Sequence, residues 1–187
     1  MDRLVVVDES FLLRNYKKLF KTFKILIPNA VIQKIQKRVF VNIEEIHLTE
    51  EGKKHFPRMG QSHVVAGLLK DNRDKYEIIG STGTGWVQKI QPLADFFQEK
   101  FNLLYFEDQK RIAATLLVLQ EAHPFTKIIF LSEDNFLKEF VKAVFIEFLP
   151  NNFLECQGTN GRLPEELYEK ISRPVMKKTK KTFKEVA

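Results

Sequence analysis

The chain has a single cysteine, Cys156, so it can build neither an internal disulfide framework nor a thiolate metal cluster. Structural zinc is not expected. No histidine lies near Cys156 in the sequence to activate it, and a small, half-buried thiol with no chemical role is expected there. Long apolar runs are also missing. The longest, such as Leu4–Val7 and Ile128–Leu131, fall far short of the roughly 20 residues a membrane-crossing helix needs. Asp2 and Arg3 are followed by a short apolar run that Asp8 ends, which offers no secretory core or cleavage site, and a cytoplasmic location is the expectation. His47, His55, His63 and His123 lack a paired ligand spacing such as i, i+4, so solvated or capping roles are expected. The glycine-rich stretch Gly80–Gly85 lacks the Gly-Lys-Ser/Thr ending of a phosphate loop and reads as a turn.

What is present describes a folded domain. The length of 187 residues suits one domain with an appendage, and 44% hydrophobic residues, including 17 Phe, supply a sizeable core. Phe11, Phe20, Phe23, Phe96 and Phe97 stand at helical spacing and read as core rather than as base-stacking platforms. The net charge is +6, and the last eleven residues hold five lysines against Glu185 alone, a solvated tail or a phosphate-binding arm. The remainder is only mildly basic.

Leu4–Val7 is a continuous run suited to a strand buried on both faces. From Glu9 onward Leu12, Leu13, Tyr16, Leu19, Phe20 and Phe23 recur at three- and four-residue steps, with Arg14, Lys17, Lys18, Lys21 and Lys24 on the other side. That pattern predicts an amphipathic helix with a basic face. Lys24–Ile27 reads as a strand, and Pro28 as the first turn of a helix carrying Val31, Ile32 and Ile35. A helix is expected over Ser62–Leu69, with strands at Tyr76–Ile79 and Gly85–Ile90. Further helices are expected over Pro92–Phe101, from Asp108 and over Asn135–Val144, and strands at Lys127–Leu131 and Phe145–Leu149. This alternation predicts an α/β three-layer sandwich with a mainly parallel central sheet over residues 1–150. Residues 151–187 form a C-terminal extension with a helix start at Leu163–Tyr168 and a basic tail.

Parallel sheets present ligand-contacting residues at the carboxyl ends of their strands. Asp8 lies just past the first strand, Asp134 just past Lys127–Leu131, and Asp108 at a helix start beside Glu107. Gathered carboxylates repel one another, so such a set makes sense around an oxygen-preferring dication, magnesium or manganese. Each acid alone also suits a helix cap, which is the better reading for Asp108.

Four segments resemble the PIN-domain nucleases, small α/β proteins that cut RNA with clustered acids and magnesium or manganese. Val5–Leu13 resembles the opening strand with its metal-binding Asp and following small hydroxyl residue, and Ile25–Ile35 the proline-led second helix. Gln109–Thr115 resembles the helix with a later acid, and Ile128–Leu137 the late strand with its Ser/Thr-x-Asp turn. The resemblance covers roughly residues 3–150 in the same order. It implies a PIN-like fold, catalytic and metal-binding roles for Asp8, Asp108 and Asp134, and RNA as substrate. The family's Glu in the second helix falls at Lys34, and its acid before Ile-Ala-Ala falls at Gln109, one place after Asp108. Glu133 and Glu107 are possible assistants, and Glu44 or Glu45 possible substitutes for the lost Glu.

Two function classes follow. In one, the chain is a metal-dependent endoribonuclease whose Lys17, Lys18, Lys21 and Lys34 hold the RNA backbone. In the other, the metal site has decayed, Lys34 points at the acids in place of a cation, and the domain binds nucleic acid or protein. The resemblance also admits an antitoxin-like partner, and a homodimer is a further reading; no residue indicates either.

Overall fold

Val5, Val6 and Val7 are β-branched residues that fit pleated backbone packed on both sides, and all three are buried. They lie in strand β1 (Arg3–Val7) of a computed structural model that describes residues 2–19, 25–39, 50–80, 84–103 and 105–158, the side chains of 16–18, 50–60 and 84 aside. The chain continues through α1 (Glu9–Leu19), β2 (Ile25–Pro28), α2 (Asn29–Val39), α3 (Glu50–Asp71) and, after a 3-10 turn, β3 (Tyr76–Ile79). Then come α4 (Thr84–Lys89), α5 (Gln91–Lys100), α6 (Glu107–Ala122), β4 (Lys127–Leu131), α7 (Asn135–Phe148) and β5 (Leu154–Gln157).

The five strands form one all-parallel sheet in the order β3-β2-β1-β4-β5. β1 and β4 pair in register from Arg3 opposite Lys127 to Val7 opposite Leu131. Ile128–Leu131 are buried like Val5–Val7, so helices cover both faces and the fold is the expected α/β sandwich with a parallel central sheet. The steps β1 to β2 and β4 to β5 run in opposite directions across the sheet, and right-handed crossovers therefore place α1 and α7 on opposite faces. α3 packs on α1 and α2, and α6 bridges α2, α4 and α7. The largest fully buried side chains include Phe11, Phe130, Phe140 and Phe145.

Several local expectations need correction. Gly85–Ile90 is helical, within and just after α4: Trp86, Val87 and Ile90 turn one apolar side inward at the 3.6-residue period, and the Ile90 N–H bonds the Trp86 carbonyl at 3.0 Å. Phe145–Phe148 end α7 and Leu149 is its C-cap; Val141, Val144, Phe145 and Phe148 continue the helical stripe. Pro28 closes β2 and helix α2 starts one residue later. Phe96 is 55% exposed rather than core, whereas Phe11 is fully buried. Residues 154–157, assigned above to the C-terminal extension, form the sheet's fifth strand. Phe20, Phe23, Lys21, Glu44, Glu45, His47, the Leu163–Tyr168 helix start and the basic tail lie outside the described residues.

No helix among the described residues is long and apolar enough to cross a membrane. Cys156 is half-buried on β5, and burial pushes its thiol up to about 12, which disfavours the thiolate. His63 and His123 are exposed.

Candidate active site

The chain builds outward from β1 to β2 and β3, then returns to place β4 on the other side of β1. The carboxyl ends of β1 and β4 therefore flank the point where the sheet's winding reverses, the place where open α/β sheets hold ligands. A cleft of about 300 Å³ opens there, and Asp8, Asp108 and Asp134 all line it.

Asp8 is the first residue past β1, and its N–H extends the β1–β4 ladder by one bond to the Leu131 carbonyl, 3.0 Å. Its carboxylate is buried, 3% exposed, and faces neutral donors. Oδ1 accepts from the Phe11 N–H at 2.9 Å, and Oδ2 from the Ser132 hydroxyl at 2.9 Å. The Ser10 hydroxyl stands 2.9 Å from both oxygens. Each serine then accepts a backbone N–H from the turn after β4: Ser10 from Glu133 at 2.9 Å, Ser132 from Asp134 at 3.0 Å. Two hydroxyls thus tie the end of β1 to the end of β4. Burial pushes the Asp8 carboxyl up to about 6, against the pull of the Phe11, Ser10 and Ser132 hydrogen bonds, and the nearby Asp134 charge adds to the rise.

Asp134 caps α7, its Oδ1 accepting from the Leu137 N–H at 3.0 Å. Asp108 does not cap α6: the N-cap position is Phe106, and Asp108 sits inside the first turn. Glu107 is held by Lys110 at 2.6 Å and Arg111 at 3.1 Å, and Lys110 keeps its carboxyl below the usual range. It is therefore engaged along α6. Gln109 lines the cleft, and its buried Oε1 has no hydrogen-bond partner.

Lys34 reaches the cleft, but its partner is Glu9 at 3.0 Å rather than Asp8 or Asp134. Glu9 also binds Arg38, one turn further along α2. The sequence reading had missed Glu9 and Arg38. The available signal was an acid at the first position of α1 beside a Lys-x-x-x-Arg pair on α2, whose i, i+4 spacing puts both cations on one helix face. Glu133, on the cleft rim, stands 3.8 Å from Arg14. Lys17 and Lys18 belong to α1, with side chains outside the described set, as is all of Lys21.

Among the described residues no three His, Cys, Asp or Glu side chains stand close enough to enclose a metal ion. Asp8 and Asp134 both line the cleft, and the Ser132 hydroxyl donates to the Asp8 carboxylate while accepting the Asp134 backbone N–H. Comparison with protein-family models, curated proteins and solved structures finds no match to this chain.

Proposed function

We propose that the chain is a metal-dependent endoribonuclease of the PIN type. The observation that supports this most directly is that Asp8 and Asp134 line one cleft at the carboxyl edge of the sheet, where Ser132 ties the Asp8 carboxylate to the Asp134 backbone N–H. Besides Glu9, which the α2 cations hold, the cleft's acids are Asp8, Asp108, Glu133 and Asp134, and they offer only oxygen, the donor that magnesium and manganese prefer. Two protein carboxylates are enough for a hydrated dication, because water and substrate phosphate complete its coordination. Asp8 and Asp134 would hold it, with Asp108 on the facing helix α6. When bound, the ion would activate water and stabilise charge on the phosphate under attack.

The chain's own residues have distinct tasks in this reading. Ser10 and Ser132 fix the Asp8 carboxylate in orientation, and their ties to the Glu133 and Asp134 N–H groups hold the two strand ends in register. Asp8, desolvated and raised to about 6, gains more than an exposed carboxylate from a neighbouring positive charge. RNA is the proposed substrate and the cytoplasm the proposed location.

A second reading is favoured by one observation: Lys34 and Arg38 already neutralise Glu9 inside the cleft. On it the domain is a catalytically silent PIN-like module that binds nucleic acid or a protein partner. Manganese titration followed by incubation with single-stranded RNA separates the two. The nuclease reading expects manganese binding and cleavage, both lost in Asp8→Asn and in Asp134→Asn. Equal behaviour of the parent and both variants rejects it.

A further inference from the structure

The two sides of the cleft differ in charge. The carboxyl ends of the strands contribute Asp8 and Asp134, whereas α2 contributes Lys34 and Arg38. Glu9, 7% exposed, takes one contact from each cation. The triad therefore holds two positive charges against one negative charge.

Donor capacity is also left over. An ammonium carries three N–H donors and a guanidinium five in a planar fork, and Glu9 uses a minority of them. The Lys34 and Arg38 side chains are 35% and 27% exposed and line the cleft, so the surplus donors lie along an accessible wall. A carboxylate behind them restrains both side chains, which lowers the entropy lost when they take up an anion. A guanidinium fork beside a point charge matches the oxygens of a phosphoryl group.

We propose that Lys34 and Arg38, restrained by Glu9, form a seat for one phosphoryl group, the backbone phosphate of a single-stranded RNA lying in the cleft. The seat rests on the nucleic-acid reading of the cleft but not on cleavage. It requires neither a bound metal nor an ionised Asp8.

The test uses the full chain in EDTA, with a labelled oligouridylate read by fluorescence anisotropy between about 50 and 200 mM salt. Lys34→Met and Arg38→Met are each expected to weaken binding roughly 3- to 10-fold and to lower the slope of log K against log salt by about 0.7. Lys34→Arg is expected to keep the parent slope, which a loss of folding would not. Unchanged affinity and slope in both Met variants, with folding confirmed by thermal melting, overturns the seat.

Inorganic phosphate added as competitor identifies the source of the phosphoryl group. Resistance to millimolar phosphate supports a seat for the diester backbone, whereas displacement of the probe reassigns it to free phosphate. Failure of the seat and failure of the nuclease are separable. Manganese-dependent cleavage with unchanged Met-variant slopes rejects the seat alone, and reduced slopes without cleavage in manganese reject the nuclease alone.

Discussion

Asp8 and Glu9 are neighbours in sequence and both are buried, yet the fold satisfies them in opposite ways. Asp8 meets two serine hydroxyls and a backbone N–H, all neutral, while Glu9 meets an ammonium and a guanidinium. Neutral donors orient a carboxylate without cancelling its charge, so burial drives the Asp8 carboxyl up to about 6. Cationic partners cancel the charge outright. Two adjacent acids of the cleft thus differ, one with its charge still available to a ligand and one with its charge already spent, set side by side by a strand end and the first position of a helix.

The largest test of this contrast removes both cations from Glu9. Lys34→Met with Arg38→Met leaves a buried carboxylate unpaired and is expected to cost about 3 kcal/mol, measured by urea unfolding at pH 7.5, with each single variant costing much less. Asp8→Asn is expected to act in the other direction. A carboxyl whose folded value is raised from 3.8 to about 6 binds its proton more tightly folded than unfolded. Its stability penalty therefore grows as pH rises from about 4 to 6 and is fully present above that. The Asn variant should be stabilised by about 2 kcal/mol at pH 7.5 and hardly at all near pH 4, read from unfolding curves at the two pH values.

Gly158→Ala tests the support behind Asp8. A Cβ at Gly158 would collide with the Ser132 carbonyl oxygen and crowd the Lys138 amine, so β5 and the Ser132 turn must separate. A loss of about 1–2 kcal/mol in thermal unfolding is expected. Ser132→Ala removes one donor to the ionised carboxylate and should cost about 1 kcal/mol at pH 7.5. It should also move the Asp8 titration, followed by NMR, further above its parent midpoint. The smallest effect is expected at the rim: Arg14, 57% exposed and 3.8 Å from Glu133, should change stability by less than about 0.5 kcal/mol when replaced by Ala, in the same urea assay.

The legible parts of the fold were those with a strong period or none. Leu4–Val7 and Ile128–Leu131 are unbroken apolar runs, and such runs in an alternating chain belong to the middle of a parallel sheet. Asp8 and Asp134 were readable for the same reason, since acids one and three residues past the ends of such runs must lie at the sheet's edge. Gly85–Ile90 and Phe145–Leu149 misled because a run of five or six residues fits a strand or one turn of helix equally well. β5, Leu-Glu-Cys-Gln, was illegible as an edge strand whose four residues are all half-buried, so hydrophobicity does not mark it. The Glu9 clasp was legible only in part: the Lys-x-x-x-Arg spacing marks a basic face on α2, but its meeting with Glu9 depends on how α1 and α2 pack, with Arg38 29 positions away. The cap expected of Asp108 failed because α6 begins one residue before it, at Glu107.

The serine bridge from Ser132 to Asp8 spans 124 positions of the chain. β1 must wait for β4, which is made after β2, β3 and all the helices between them, before its second edge is paired. Contacts of such long sequence separation are formed late and slowly, because most of the chain's freedom is surrendered before they exist. Until then Val5–Val7 present an open, apolar strand edge that another chain could join. The cleft is accordingly absent from every partly folded form in which β4 has not docked, and its appearance marks the moment when the chain's aggregation-prone edge closes.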